Sequence, residues 1–246
     1  MHRLFVPPEE IESNKIIING EPLKKIRAVL RLKPHDQLCI FDGRGHEYVS
    51  QIISLSTREA ELKIITKQYP DRESAFEVHV GQAVPKSDKM KFVIQKAVEL
   101  GAYEFHPFYS SRTVPTYDKG QLAGRLRRWQ KISQEAAQQS GRTMVPWVNP
   151  PVEFSQLLAV SQQSHLRIIL HGESAKEPLK QILTNERRGE KVFFIVGPEG
   201  GFAPEELRLA QQYGFESVRL GARILRTETA ALTFLSILQY EWGGMY

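Results

Sequence analysis

The 246-residue chain has a single cysteine, Cys39, so no internal disulfide can form and stability must come from a packed core. Such sparing cysteine use fits a reducing compartment. No apolar stretch approaches the roughly 18 residues that span a bilayer. The amino end, Met1-His2-Arg3-Leu4-Phe5-Val6-Pro7-Pro8, lacks the apolar core of a secretory signal, and a cytoplasmic location without membrane attachment is expected. The seven histidines are scattered without metal-ligand spacing, so no metal is expected. Phosphate and dinucleotide fingerprints are missing too. No glycine loop runs into Gly-Lys-Ser/Thr, no Gly-x-Gly-x-x-Gly opens a helix, and no Gly-x-Ser-x-Gly elbow occurs. Cys39 lies inside the apolar run Leu38–Phe41 with nothing marking it as a nucleophile. Internal repeats and low-complexity tracts are absent.

What remains is the composition of a globular protein, 41% hydrophobic and 25% charged. A net charge of +5 and a pI near 9.2 are compatible with a nucleic-acid partner, because Lys and Arg neutralise phosphates and release counterions. Many enzymes of small molecules are equally basic, so charge does not choose between an RNA binder and an enzyme.

The first seventy-odd residues read as β-rich. Strands are expected at Arg3–Val6, Ile16–Ile18, Gln37–Phe41, Glu47–Ile53 and Glu61–Thr66, with Asp42-Gly43-Arg44-Gly45 as a hairpin loop. A short helix over Pro22–Arg31 would bury Ile26, Val29 and Leu30 and display Lys24, Lys25, Arg27 and Arg31. Close-spaced short strands suggest a small barrel. The polar segment Tyr69–Ser74 reads as a linker, giving domains at 1–72 and 73–246.

Beyond it, strands and helices alternate, which implies a mostly parallel α/β sheet. Strands are expected at Phe76–Ala83, Phe105–Phe108, Arg167–Leu170 (ending in His171-Gly172-Glu173), Val192–Val196 and Ser217–Leu220. Helices are expected at Lys89–Leu100, capped by Ser87 or Asp88 and burying Phe92, Val93, Ala97 and Leu100, and at about Gly120–Gln139. Two more cover Pro204–Tyr213 and the final apolar face of Ala230, Ala231, Phe234, Leu235, Leu238 and Trp242.

Two of these strands end in unusual loops. Val192–Val196 breaks into Gly197-Pro198-Glu199-Gly200-Gly201-Phe202, and Ser217–Leu220 into Gly221-Ala222-Arg223-Ile224-Leu225-Arg226-Thr227-Glu228-Thr229. The first alone could be a tight strand-to-helix turn. The second places Arg-Thr-Glu-Thr where plain turn chemistry would use Gly, Asn or Pro. Ligands of open α/β sheets sit at the carboxyl ends of strands, so the two loops together are a candidate small-molecule site.

These loop sequences resemble the signature of the RsmE family, bacterial methyltransferases of small-subunit ribosomal RNA within the SPOUT superfamily. Phe41-Asp42-Gly43, Lys86-Ser87-Asp88-Lys89-Met90, Gln95–Gly101 and Glu135–Arg142 are similar to family segments as well, and the likeness covers nearly the whole chain. The resemblance implies an N-terminal PUA-like β-barrel that binds RNA and a C-terminal trefoil-knotted α/β domain. It further implies S-adenosylmethionine bound bent in the knot, an active site at a homodimer interface, and methylation of N3 of uridine 1498 in 16S ribosomal RNA of the small subunit. A transfer RNA substrate, or RNA binding without methyl transfer, are the alternatives.

On this reading the cofactor would meet Leu170, His171, Gly197, Pro198, Glu199, Gly200, Leu220, Gly221, Ile224, Leu225, Arg226 and Thr229. Glycine positions would bring the backbone close, and leucine and isoleucine would form apolar walls. Arg226 would orient uridine or the cofactor carboxylate, or stabilise charge on a carbonyl oxygen. Glu199 is the nearest carboxylate that could take the N3 proton. Thr229 would offer a hydroxyl or a helix cap. Arg3, Arg27, Arg31, Arg112 and Arg142 are candidate phosphate contacts. The chain departs from the family pattern at Ala222, where proline is expected, and at Ala203, where a Ser or Thr cap is usual.

Overall fold

The computed structural model of the protein describes residues 1–114, 117–171, 178–185 and 191–243. Gly172 and Glu173, expected at the end of one strand, lie outside the described residues. The chain divides into two units, Met1–Glu73 with Ala137–Val145, and Ser74–Ala136 with Pro146–Tyr246.

In the first unit, β1 (His2–Phe5), β2 (Lys15–Ile18), α1 (Gly20–Lys24), β3 (Gln37–Phe41), β4 (Glu47–Leu55) and β5 (Ala60–Gln68) build one PUA-like sheet in the order β1-β3-β4-β5-β2. β1 runs parallel to β3 and the other pairings are antiparallel. Period-two patterning sets the register: Ile16 opposes Leu62 and Ile18 opposes Ala60, all buried, while Glu61 and Lys63 face water. Register shifts at Val49/Ser50 and Ile52/Ser54 bend the β4–β5 ladder as bulges do.

The expected helix Pro22–Arg31 is instead α1 followed by a π-helical turn, Lys25–Val29, in which the Leu30 amide donates to the Lys25 carbonyl at 2.9 Å. The widened turn keeps Leu23 and Ile26 in the core but swings Val29 out, 70% exposed.

Both faces of β3 are covered. One packs the hydrophobic core; the other carries a polar network around Glu47, whose side chain is 3% exposed. Glu47 accepts from Arg3 Nε at 2.7 Å and from both terminal nitrogens of Arg72 at 2.9 and 3.0 Å. Arg3 also donates to the carbonyls of Ala137, Gln138 and Arg142 and stacks over the Phe41 ring at 3.8 Å. Glu73 accepts from Arg142 Nη2 at 2.6 Å and from the amides of Thr143 and Met144. These bonds bring Ala137–Val145 back into the first unit, a discontinuity that a single boundary at 72/73 does not contain. Arg3 and Arg142, expected as phosphate contacts, thus spend these donors inside the unit.

The second unit contains β6 (Glu77–Ala83), α2 (Lys89–Glu99), β7 (Glu104–Tyr109), α3 (Lys119–Ser140, whose last turn belongs to the first unit), β8 (Trp147–Val148), β9 (Val152–Glu153), α4 (Phe154–Val160), β10 (Leu166–Leu170), α5 (Leu179–Asn185), β11 (Lys191–Val196), α6 (Pro204–Gln212), β12 (Glu216–Val218) and α7 (Thr227–Trp242). Its strands run parallel in the order β12-β10-β11-β6-β7-β8, with β9 also paired to β7. The apolar runs of β6 and β11 are buried, as strands covered on both faces require. From β6 the chain moves to β7 on one side, whereas from β11 it moves past β10 to β12 on the other. The carboxyl ends of the neighbours β6 and β11 therefore flank a topological switch point. α7 returns from β12 to pack against α2, β6 and β11.

Three local expectations are corrected. Asp88 stands at the N-cap position of α2 but makes no side-chain capping bond; its carboxylate accepts from Arg128 Nη2 at 3.0 Å instead. Phe92 is 47% exposed, and the buried face of α2 is Met90, Val93, Ile94, Ala97 and Val98, one step round the helix. β12 ends at Val218, leaving Leu220 in the loop.

Burial pushes the Glu47 carboxyl up, but Arg72 and Arg3 outweigh it and hold the group below its ordinary 4.5. A depressed carboxylate contributes stability that is full above the unfolded value and fades as pH falls through the folded one. Urea unfolding of Glu47→Gln should therefore lose much of the wild-type decline below about pH 4.5. Glu47→Ala should cost roughly 3 kcal/mol near neutrality, since it strands two arginines. Burial, with Glu47 nearby, pushes the Cys39 thiol up to about 11. Iodoacetamide at pH 8 should leave Cys39 unmodified until the chain is unfolded, as read by mass spectrometry.

Candidate active site

At the carboxyl ends of β10, β11 and β12 lies a cavity of about 790 Å³, within the usual size range of small-molecule pockets. The loop after β11 and the loop before α7 form most of its lining. One hydroxyl joins them. Thr227, the first residue of α7 and buried, donates from Oγ1 to the Gly197 carbonyl at 2.7 Å. The same Oγ1 accepts from Gln82 Nε2, at the end of β6, at 2.9 Å. Gly197 is glycine for space: an added Cβ would stand 2.9 Å from the Phe202 ring, which packs beneath the loop.

The glycine loop has two further anchors. Lys89 Nζ lies 3.0 Å from Glu199 Oε1 and 3.4 Å from Glu228 Oε2, tying the loop to α7. Arg112 Nη1 donates to the Gly200 carbonyl at 2.9 Å. The Arg112 segment is itself held by Glu206, which accepts from the Ser111 amide and from the hydroxyls of Ser110 and Ser111. Glu206 also accepts from the Ala203 amide at 2.8 Å, so α6 has the carboxylate half of a capping box without a capping hydroxyl.

Burial raises Glu199, but its own amide, Lys89 and the Lys86 amide together hold it below the ordinary carboxylate range. Lys89 is pushed up, chiefly by its bond to Glu199, and stays an ammonium. Glu199 is thus ionised and paired, which makes it a weak proton acceptor. Arg226, exposed at the cavity, makes no side-chain hydrogen bond or ion pair among the described residues.

Of the residues expected in the site, the cavity gathers Leu170, His171, Gly197, Pro198, Glu199, Leu220, Ile224, Leu225 and Arg226. Three others lie outside its lining. Gly200 is turned to Arg112; Gly221, at φ 81°, spends its conformational freedom on the turn, its carbonyl accepting from Arg219 Nε at 2.8 Å. Thr229 sits exposed on α7. Among the residues missed are Thr227 and Lys89, with Val196 and Phe202 in the apolar wall. Thr227 carries a sequence signal, because the first helical residue faces the end of the sheet while the residue two further on points away. Lys89 carries none, since it reaches the loop from α2.

Thr227→Val keeps the shape and removes the hydroxyl, leaving the Gly197 carbonyl without its donor and Gln82 Nε2 with the Ala83 carbonyl alone. Chemical denaturation should show a loss of about 1–3 kcal/mol, with Thr227→Ser close to wild type.

Residues 72–239 match the RNA methyltransferase domain family, and residues 26–65 the RNA methyltransferase PUA domain. The chain is 34% identical to the ribosomal RNA small subunit methyltransferase E of Bacillus subtilis, over 98% of this chain and 97% of that one. It is 33% identical to the protein of the same name from Mesomycoplasma hyopneumoniae, over 96% and 98%. A crystal structure of the Neisseria gonorrhoeae ribosomal RNA small subunit methyltransferase E, bound to S-adenosyl methionine, superposes with a TM-score of 0.88 at 32% identity, covering 100% of both chains. With the family match spanning most of the chain and these relatives matched from end to end, the protein belongs to the ribosomal RNA small subunit methyltransferase E family.

Proposed function

We propose that this chain transfers a methyl group from S-adenosylmethionine to N3 of a uridine in 16S ribosomal RNA, with the cavity between the two loops as the cofactor site. The observation that carries this reading is the joining of the loops by Thr227 around a cavity whose rim holds the Arg226 guanidinium, unpaired among the described residues. The lining fits the cofactor. Leu170, Val196, Phe202 and Leu225 offer apolar surface to an adenine ring, and the loops supply main-chain groups for its nitrogens.

S-adenosylmethionine supplies an electrophilic methyl on a sulfonium sulfur. Uridine N3 is a weak acid between two carbonyls, so attack requires stabilisation of the imide anion. Arg226 is positioned to provide it, because an unpaired guanidinium donates in the plane of a carbonyl oxygen and favours the deprotonated base. The N3 proton passes to bulk water at the open rim, and the methyl then moves from the sulfonium to N3 with the neutral thioether as leaving group; Glu199, made less basic by its bond to Lys89, holds the glycine loop. The target base must be unpaired or flipped to reach the rim. Arg27 and Arg31 on the first unit and Arg112 on the second, all exposed, are the phosphate contacts.

The rest of the reading follows the same family. The first unit, Met1–Glu73 with Ala137–Val145, is the RNA-binding PUA-like domain, and the second is the SPOUT methyltransferase domain, with the return of α7 passing through a trefoil knot. The enzyme acts as a cytoplasmic homodimer on the small ribosomal subunit. Ile224, wholly exposed at the cavity, supports a second chain closing the site.

Titration calorimetry should detect S-adenosylmethionine binding; no heat at high cofactor concentration would rule out the enzyme. Arg226→Ala should lower methyl transfer to small subunits at least tenfold, about 1.4 kcal/mol in the barrier. Mass spectrometry of ribosomal RNA from a deletion strain should show one methyluridine missing from the 16S species; its persistence, with loss from transfer RNA, would move the substrate. The double variant Arg27→Ala/Arg31→Ala should weaken RNA binding and reduce its salt slope by about 2.

A further inference from the structure

A second cluster of chemistry-bearing side chains lies at the amino ends of β6 and β7, at the opposite end of the strands from the cofactor cavity. Parallel pairing sets His79 opposite Glu104 and Gly81 opposite His106, which brings two histidines far apart in sequence to one face of the sheet. His79 Nδ1 stands 3.1 Å from His106 Nε2 and 3.1 Å from Glu104 Oε2, and His106 Nε2 stands 3.4 Å from that same oxygen. Three potential ligand atoms therefore form a near-equilateral triangle. Ligands about 2.0–2.1 Å from a tetrahedral ion stand roughly 3.3–3.4 Å apart, so these spacings are close to one face of a zinc tetrahedron.

Proton bookkeeping points the same way. His79 Nε2 lies 3.2 Å from Glu77 Oε2, which can only accept, so the ring hydrogen belongs on Nε2. Its Nδ1 lone pair then faces a carboxylate oxygen at 3.1 Å, a repulsion that either a second ring proton or a bound cation relieves, and the triangular spacing favours the cation. Glu104 is pinned through its other oxygen, which accepts from Asn149 Nδ2 at 2.8 Å. The rings are held as well: Phe193 stacks on His79 at 6.0 Å with an interplanar angle of 10°, and packs against His106 at 5.0 Å. Both histidines are buried, whereas the Glu104 side chain is 26% exposed, leaving a path and a fourth position for water.

From this geometry we infer that His79, His106 and Glu104 bind one divalent zinc-class ion, oriented by Glu77 from behind His79. The ion clamps β6 to β7 and takes no part at the carboxyl-end cavity. The linear spacing of the histidines gave no hint of it, because the ligands meet only through strand pairing.

The test uses the full chain after chelator treatment, with zinc alone as the probe. Competition against a chromophoric chelator should show one tight equivalent per chain and a raised Tm. Cobalt in its place should give the visible absorption of a tetrahedral site. His79→Asn/His106→Asn should weaken affinity at least a hundredfold, and Glu77→Gln about tenfold, an effect that zinc on exposed histidines would not show. Binding no tighter in the wild type than in the double variant, or no binding at all, would overturn the site and leave a protonated network. Should the double variant fail to fold, histidine ring resonances of the wild type decide. Zinc should shift those of His79 and His106, and shifts confined to other histidines would equally refute the inference.

Discussion

The Thr227 hydroxyl sits where β6, β11 and α7 meet, and the site depends on its two hydrogen bonds. It donates to the first loop and accepts from the end of β6, so it fixes where α7 begins. The residues on either side inherit their positions from it: Arg226 is left at the rim, and Glu228 is turned toward Lys89. Net, such bonds stabilise by only about 1 kcal/mol each. Their importance is positional, because they fix the Gly197 carbonyl and the Gln82 amide, whose Nε2 also donates to the Ala83 carbonyl at 3.0 Å and whose Oε1 has no partner among the described residues.

The glycine loop is held from three directions, and each hold decides which of its atoms face the cavity. Thr227 takes the Gly197 carbonyl, Lys89 takes the Glu199 carboxylate, and Arg112 takes the Gly200 carbonyl. The loop is thus ordered before any ligand arrives, which lowers the entropy lost on binding. The first unit repeats the device with Glu47, a buried carboxylate gathering two arginines whose remaining donors capture the carbonyls of the returning segment.

Much of the fold was legible in period and punctuation. The alternation in β2 and β5, the fully apolar β11 and the proline-led α6 each follow from local chemistry that the tertiary structure does not override. What was hidden is what long-range contacts decide. The π-helical turn at Lys25–Val29 rotates Val29 out of a face that regular spacing would bury. Arg3 and Arg142 look like any other surface cations in sequence and become internal only because Glu47 and Glu73 meet them in space. In the site, the loops were visible as strings of glycine and polar residues, whereas their division into lining and support was not. Of two adjacent glycines, Gly200 gives its carbonyl to Arg112, whereas Gly201, at φ 69°, lines the cavity.

At the two positions where the resemblance leads one to expect proline and a capping hydroxyl, charged side chains bond the backbone. Proline at 222 would stiffen the second loop by fixing φ. With Ala222 in its place, Arg219 spans the turn, donating from Nε to the Gly221 carbonyl at 2.8 Å and from Nη2 to the Ala222 carbonyl at 3.0 Å. At 203 a capping hydroxyl is missing, and Glu206 both returns to the Ala203 amide and gathers Ser110 and Ser111. In each case a charged side chain bonded to backbone replaces a local conformational preference. The substitution is not neutral in its physics: a covalent restraint on φ is indifferent to salt and pH, whereas a guanidinium on two exposed carbonyls competes with water. The second loop, with Arg223 and Arg226 beside that turn, is therefore held less firmly than the first, and ordering it falls in larger part to what binds there.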